Sequence, residues 1–144
     1  MKLGLIACVV ICTQLIDAYK QNCGSVKNNT LTSPGYPNNY QNGLDCIYRV
    51  PIPLDKDLVI HFNNFSLESH SNCKWDYLRI NDSSNRIIGT YCGYQTGKRI
   101  SVVGSIAVLT FHTDASGRYR GFLSIVLLLS ALTGEKAPKR WPGL

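Results

Sequence analysis

Hydrophobic and polar residues alternate in short segments along most of this chain. In the clearest case, residues 58–62, the apolar side chains of Leu58, Ile60 and Phe62 recur at every second position and share one face of an extended backbone. Further segments that alternate, or that are rich in β-branched and aromatic residues, lie at 47–50, 76–80, 87–92, 105–113 and 122–126. This period of two predicts a series of β-strands.

Polar residues, glycine and proline separate these segments. Residues 81–85, Asn-Asp-Ser-Ser-Asn, have the composition of a hairpin turn between the segments on either side. After residue 18 no segment has the length and the 3.6-residue period of an amphipathic helix. Many short strands with such punctuation predict an all-β fold, an antiparallel β-sandwich in one compact domain.

The first 18 residues are typical of a secretory signal peptide. Lys2 provides a positive start, residues 3–16 are mostly apolar, and Ala18 is a small residue at the expected cleavage point. The alternative is a membrane anchor, but Thr13 and Gln14 interrupt the apolar stretch, which is shorter than the ~20 residues that span a bilayer. We therefore expect residues 1–18 to direct the chain to the extracellular space.

Cleavage of this leader would remove two of the six cysteines, Cys8 and Cys12. An even set in a secreted chain predicts two disulfides, although four cysteines allow three connectivities. A zinc site is disfavoured because no two cysteines have the Cys-x-x-Cys spacing. The remaining cysteines are Cys23, Cys46, Cys73 and Cys92.

The mature chain would be basic, because removing Lys2 and Asp17 from 15 basic and 9 acidic residues leaves 14 and 8, a net charge of +6. These basic residues are scattered along the chain, whereas nucleic-acid binding requires a dense basic face. The charge does allow contact with an anionic glycan.

The C-terminal residues 128–144 contain Gly134, Pro138, Pro142 and Gly143, which predicts a disordered tail. The apolar stretch before them, residues 122–132, has eleven residues and is too short for a transmembrane segment, which needs ~20.

Three Asn-x-Ser/Thr sequons are candidate glycosylation sites in a secreted chain: Asn28, Asn64 and Asn81. Asn81 is expected to be the best acceptor because it lies at the predicted hairpin tip. Asn64 lies at a strand end and is a weaker candidate.

Acidic residues occupy the ends of the predicted strands. Glu68 and Asp76 lie on either side of Cys73, and Asp114 ends the segment 108–114, two residues before Ser116. Isolated acids of this kind are usually solvated or paired with nearby cations, for which Lys74, Arg118 and Arg120 are available.

Several motifs together resemble the CUB domain, an extracellular β-sandwich module, over residues 23–127. They are Ser33-Pro34-Gly35-Tyr36-Pro37, Glu68 and Asp76 eight positions apart, Tyr91-Cys92-Gly93, Asp114 with Ser116, and Gly121-Phe122, together with the cysteine spacing. The resemblance implies a jelly-roll-like sandwich with bridges Cys23–Cys46 and Cys73–Cys92.

The acidic residues are similar to the calcium-binding subclass of that family. The resemblance implies that Glu68, Asp76 and Asp114 supply side-chain oxygens to calcium, and that Ser116 contributes through its main chain. It also implies a tyrosine before residues 33–37 that hydrogen-bonds a ligating carboxylate. Residues 26–31 contain no tyrosine, so a weaker support of the ligands is expected.

The resemblance implies a secreted interaction module without enzyme activity, whose partner is an extracellular protein that reaches the calcium loops through a Lys side chain. Two alternatives stay open at this point: a structural protein of the extracellular matrix or of a biomineral, and a glycan-binding module similar to the spermadhesins.

Overall fold

The computed structural model describes residues 23 and 25–131, and these form eight β-strands in two antiparallel sheets. The predicted signal peptide and residues 132–144 of the predicted tail lie outside the described residues. The strands are β1 (Thr30–Thr32), β2 (Asp45–Pro51), β3 (Lys56–Ser66), β4 (Tyr77–Asn81), β5 (Ile87–Tyr91), β6 (Arg99–Val102), β7 (Ile106–His112) and β8 (Gly121–Ser130).

Each sheet joins strands that are distant in sequence. Sheet A has the order β1-β8-β3-β6, and sheet B has the order β2-β7-β4-β5. Every strand pair is antiparallel. The prediction of an all-β antiparallel sandwich is confirmed.

The alternation in the sequence corresponds to the inner and outer faces of the sheets. Leu58, Ile60 and Phe62 are fully buried on the inner face of β3, and β7 alternates along its whole length. Burial of such side chains contributes roughly 1.5–3 kcal/mol each. The period of two therefore reflects one face in the core and one face in solvent.

Aromatic rings connect the two sheets in the core. Phe122 of sheet A meets Phe111 of sheet B edge to face, with 5.2 Å between ring centroids. Phe65 of sheet A stacks on Phe122 at 6.0 Å. Edge-to-face and stacked pairs add to the stabilisation from burial because each ring has a negative face and a positive edge.

Two disulfides close the structure, Cys23–Cys46 and Cys73–Cys92. The first joins the N-terminal segment to β2, and the second joins the loop before β4 to the residue that follows β5. Both pairings are those that the family resemblance implied.

Strand β8 continues to Ser130, three residues beyond the predicted domain end at residue 127, and pairs with β3 as far as Lys56. Within the described part of the chain, no helix has the length and apolar character needed to cross a membrane.

Candidate metal centre

Three carboxylates meet at one end of the sandwich. Glu68 follows β3, Asp76 directly precedes β4, and Asp114 follows β7, so both sheets contribute. One oxygen atom from each residue lies within 4.8 Å of the others. The fold thus brings together the three acids that the sequence singled out.

Asp76 is completely buried, and both of its carboxylate oxygens accept hydrogen bonds. The Tyr40 hydroxyl donates to Oδ2 at 2.6 Å, and the backbone N–H of Asp114 donates to Oδ1 at 2.8 Å. A buried carboxylate needs such partners to offset lost hydration. These two bonds also fix its orientation toward the cluster.

Tyr40 supports two of the three acids at once. Its hydroxyl oxygen also accepts a hydrogen bond from the backbone N–H of Glu68 at 3.1 Å. Burial, followed by the hydrogen bond to Asp76, raises the pKa of the Tyr40 hydroxyl far above its ordinary value, so the group remains a neutral donor.

The expectation of weaker support at the acidic ligands is therefore wrong. It rested on the lack of a tyrosine before residues 33–37, but the tyrosine that holds the carboxylate lies after this segment, at Tyr40.

The loop after β7 is held by the connection between β1 and β2. The N–H of Gly43 donates to the Asp114 carbonyl at 2.8 Å, and Asn42 Nδ2 donates to the Ala115 carbonyl at 2.9 Å. The N–H of Ser116 donates to Asp114 Oδ1 at 2.9 Å, which closes a tight turn around that carboxylate. The role of Ser116 as a main-chain ligand stays a prediction.

Gly117 also shapes the acidic site, although a glycine has no side chain that would mark it in the sequence as a site residue. A Cβ atom built on Gly117 would lie 2.5 Å from Glu68 Oε1 and 2.6 Å from its carboxyl carbon, and the backbone φ is +72°. A glycine is needed here both for this close approach and for the left-handed backbone.

No ion pair among the described residues neutralises the negative charge of the cluster. Ion pairs in residues 23 and 25–131 join Lys56 to Asp55, Arg86 to Asp82 and His112 to Asp45, and none includes the three carboxylates. The alternative in which Lys74, Arg118 or Arg120 neutralises these acids has no support in this part of the chain.

Glu68 is the least satisfied of the three acids. Its Oε2 atom is buried, and no hydrogen-bond partner for it occurs among the described residues. Burial, the charge of Asp76 and the charge of Asp114 raise the pKa of Glu68, and His70 opposes this rise. A buried, unpaired carboxylate oxygen beside two other acids fits a divalent cation with a preference for oxygen ligands.

The three sequons differ in their surroundings. Asn28 and Asn64 are exposed, whereas Asn81 is half-buried at the end of β4. The side-chain nitrogen of Asn81 donates to the backbone oxygen of Asn85 at 3.1 Å and to its Oδ1 at 3.2 Å.

Two four-stranded antiparallel sheets, two disulfides and an acidic cluster at one end define a β-sandwich module with a candidate cation site. Residues 21–124 match the family model described as the CUB domain. The chain belongs to the CUB domain family.

Individual relatives agree with this assignment. Human cubilin is 34% identical over 115 residues, which cover 77% of this chain and 3% of cubilin. Neuropilin-1 of Xenopus laevis is 33% identical over 117 residues, which cover 75% of this chain and 13% of that protein. The chain therefore spans a small part of the length of these relatives.

Solved structures show the same fold. The crystal structure of the MASP-1 CUB2 domain bound to Ca²⁺ is similar with a TM-score of 0.61 and 30% identity, over 67% of this chain and 88% of that one. The CUB1-EGF-CUB2 domain of human MASP-1/3 gives a TM-score of 0.66 and 25% identity, over 71% of this chain and 41% of that one.

Proposed function

We propose that this chain is a secreted, calcium-binding CUB module that mediates protein–protein interaction outside the cell and performs no catalysis. The observation that carries the proposal is the buried Oε2 atom of Glu68, which lacks a hydrogen-bond partner in the described residues and lies in the cluster with Asp76 and Asp114. A bound cation would satisfy this atom and relieve the repulsion among the three acids.

Calcium fits this donor set better than the other common cations. It takes six to eight oxygen ligands in flexible geometry, and carboxylates, backbone carbonyls and water supply them. Glu68, Asp76 and Asp114 would provide carboxylate oxygens, and Ser116 would add its backbone carbonyl. The similarity to the MASP-1 CUB2 domain, which was solved with Ca²⁺, also supports this choice.

Secretion is supported by the N-terminal sequence and by the two disulfides, which persist in oxidising compartments. We therefore place the calcium site in contact with extracellular calcium. At millimolar concentrations of the ion, a site with a dissociation constant of about 10⁻⁴–10⁻³ M is largely filled.

The occupied site would offer a surface for a basic side chain. Three carboxylates and one Ca²⁺ leave about one negative charge, which favours the compact ammonium group of Lys. Exposed aromatic rings flank the site along the chain: Trp75 precedes Asp76, and Tyr94 pairs with Ser66 at the end of β3. Such rings are enriched in protein interfaces and suit the aliphatic part of a lysine.

The first prediction concerns calcium and stability. Because calcium would bind the folded chain alone, a concentration of 100 times the dissociation constant adds about 2.7 kcal/mol, which corresponds to a rise of roughly 10 °C in Tm for a domain of this size. Thermal unfolding is compared in excess calcium and in chelator.

The substitution Asp76→Asn should abolish the calcium-dependent rise. Asp57→Asn is the matched control, because Asp57 lies on β3 in register with Leu129, at the opposite end of the strand from Glu68. Equal melting temperatures in calcium and chelator for the unsubstituted protein would refute the metal assignment.

The second prediction concerns the partner. We expect the immobilised module to retain an extracellular protein in calcium and to release it in chelator, and Glu68→Gln to lose the same protein while Asp57→Asn keeps it. The extracellular extract that supplies the partner is also treated chemically before capture. Acetylation of its lysines should prevent capture, whereas reductive methylation, which preserves the charge of the lysines, should reduce capture less. Capture that resists chelation and acetylation would contradict the proposed lysine contact.

A further inference from the structure

Among residues 23 and 25–131, no strand pairs with the C-terminal half of β8 on the side away from β3, and we call this part of sheet A its open edge. Strand β1 pairs with β8 only from Leu123 to Ile125, and the last contact is the Val126 N–H, which donates to the Asn29 carbonyl at 2.7 Å. Backbone groups alternate in direction along an antiparallel strand. The N–H and C=O groups of Leu128 and Ser130 therefore point, like the Val126 N–H, away from β3 and toward the open side.

The same segment exposes apolar side chains. Leu127, Leu128 and Leu129 are 39%, 45% and 37% exposed, respectively. Leu127 and Leu129 lie on the outer face of the sheet, in one row with Leu123 and Ile125. An open edge next to an apolar row is a template for aggregation unless something covers it.

One sequon lies directly at the open edge. Asn28 and Asn29 form the turn between Lys27 and Thr30, and both have left-handed φ values, +48° and +58°. This turn ends the pairing of β1 with β8, and Asn28 is exposed at its tip. A group attached to Asn28 Nδ2 would start beside the point where the edge becomes open.

A second sequon lies on the other flank of the apolar row. Asn64 of β3 is paired with Leu123 of β8, and cross-strand partners project from the same face of a sheet. Asn64 is exposed, and the strand is irregular between Phe62 and Asn64. One exposed sequon thus lies on each flank of the row formed by Leu123, Ile125, Leu127 and Leu129: Asn64 lies beside Leu123, and Asn28 adjoins Asn29, which contacts Val126.

We propose that Asn28 and Asn64 carry N-linked glycans that cover the outer face and open edge of β8, and that Asn81 carries none. The proposal rests on the secretion stated above. In the reaction, the Asn Nδ2 atom forms a bond to C1 of an oligosaccharide carried on a lipid diphosphate. The C1–oxygen bond breaks, its electron pair leaves with the lipid diphosphate, and Nδ2 loses one proton.

Asn81 differs because its side-chain nitrogen already holds the hairpin turn through the two oxygens of Asn85. The next residue, Asp82, is buried and accepts hydrogen bonds from the N–H groups of Ser84 and Arg86. A sugar on Asn81 Nδ2 would leave that nitrogen a single N–H, so it could no longer donate a separate hydrogen to each oxygen of Asn85, and the sugar would crowd a turn that is fixed by several hydrogen bonds. This reverses the order expected from the sequence, in which Asn81 ranked first.

The occupancy test expresses residues 1–144 in a secretory eukaryotic cell, once with residues 1–18 and once with an unrelated signal sequence in their place. If the protein is secreted only with the unrelated signal sequence, the proposed secretion is contradicted, but glycan occupancy at the three sequons can still be measured. Enzymatic release of glycans in heavy-oxygen water converts each modified Asn to labelled Asp, which peptide mass spectrometry locates.

We expect label at Asn28 and Asn64 and none at Asn81. The control Ser83→Ala removes the third sequon without altering Asn81 and should leave the intact mass lower only by the missing oxygen atom. A glycan at Asn81, or its lack at Asn28 or Asn64, would overturn the proposal.

The covering role has a separate readout. The double variant Asn28→Asp and Asn64→Asp has the side chains that enzymatic release leaves, and Asp is tolerated in the left-handed backbone at position 28. Compared with the glycosylated protein, we expect severalfold higher binding of a hydrophobic dye and concentration-dependent association. A further Leu127→Lys substitution, which places a charge within the exposed apolar row, should reverse both. Unchanged dye binding and a monomeric double variant would refute the proposal that the glycans cover the apolar row and the open edge.

Discussion

Tyr40 illustrates how one hydroxyl orders a whole site. It donates to Asp76 and accepts from the Glu68 backbone, so it links the ends of the loop between β3 and β4. We expect Tyr40→Phe to keep the fold but to weaken calcium binding 10- to 100-fold, because partners that orient metal ligands have effects of this size. Calcium titration followed by calorimetry measures the change.

The control for this prediction is Tyr36→Phe, which removes a hydroxyl from the same connection outside the described contacts of the acidic cluster. Calcium affinity that is equal in Tyr40→Phe and in the unsubstituted protein would mean that the hydroxyl has no role in positioning the ligands.

At the scale of residues, the sequence identified the three acids of the cluster but not the residues that position them. The resemblance to the calcium-binding subclass of the CUB family singled out Glu68, Asp76 and Asp114. Tyr40 and Gly117 act through space, on atoms 36 and 49 positions away in the chain, and hydrogen bonding or close packing of this kind leaves no local pattern.

At the scale of elements, strands with a long alternating run were predictable, and the shortest ones were not. Strand β1 has three residues and one buried side chain, Leu31, and β6 has four residues. A period of two cannot be recognised over so few positions. The full length of β8 also went beyond the prediction, because its last residues pair with β3 while their apolar side chains remain exposed.

The start of β8 supports a prediction about a close approach. Gly121 has a φ of +87°, and a Cβ built on it would collide with Ser33 Oγ, which accepts a hydrogen bond from the Phe122 N–H. We expect Gly121→Ala to destabilise the fold by about 2–4 kcal/mol, since it adds steric conflict to backbone strain. Chemical denaturation measures the loss.

Gly97→Ala is a matched comparison, because Gly97 has a φ of +90° and a Cβ built on it would meet no atom of the described residues within 4 Å. This variant should show the backbone strain alone, about 1–2 kcal/mol. Equal losses in the two variants would mean that the contact with Ser33 adds nothing.

At the scale of the whole molecule, the order of strands in each sheet was not readable from the sequence. In sheet A, β8 lies between β1 and β3, although these strands are far apart in the sequence. Which strands become neighbours depends on how the side chains of the whole core pack together. This arrangement also places acids from sheet A and sheet B at one end, so a bound cation would connect the two sheets. The site is thus a property of the complete sandwich.

The two disulfides allow this link between fold and site to be tested. Their sequence separations, 23 and 19 residues, are similar, so each should contribute about 3 kcal/mol by restricting the unfolded chain. Only Cys73–Cys92 holds the loop between Glu68 and Asp76. We expect Cys73→Ser with Cys92→Ser to lower both stability and calcium affinity, and Cys23→Ser with Cys46→Ser to lower stability alone. Calcium titration below the melting range of each variant distinguishes the effect on stability from the effect on calcium affinity. Equal calcium affinity in the two variants would show that the hydrogen bonds of Tyr40 position the loop without the disulfide.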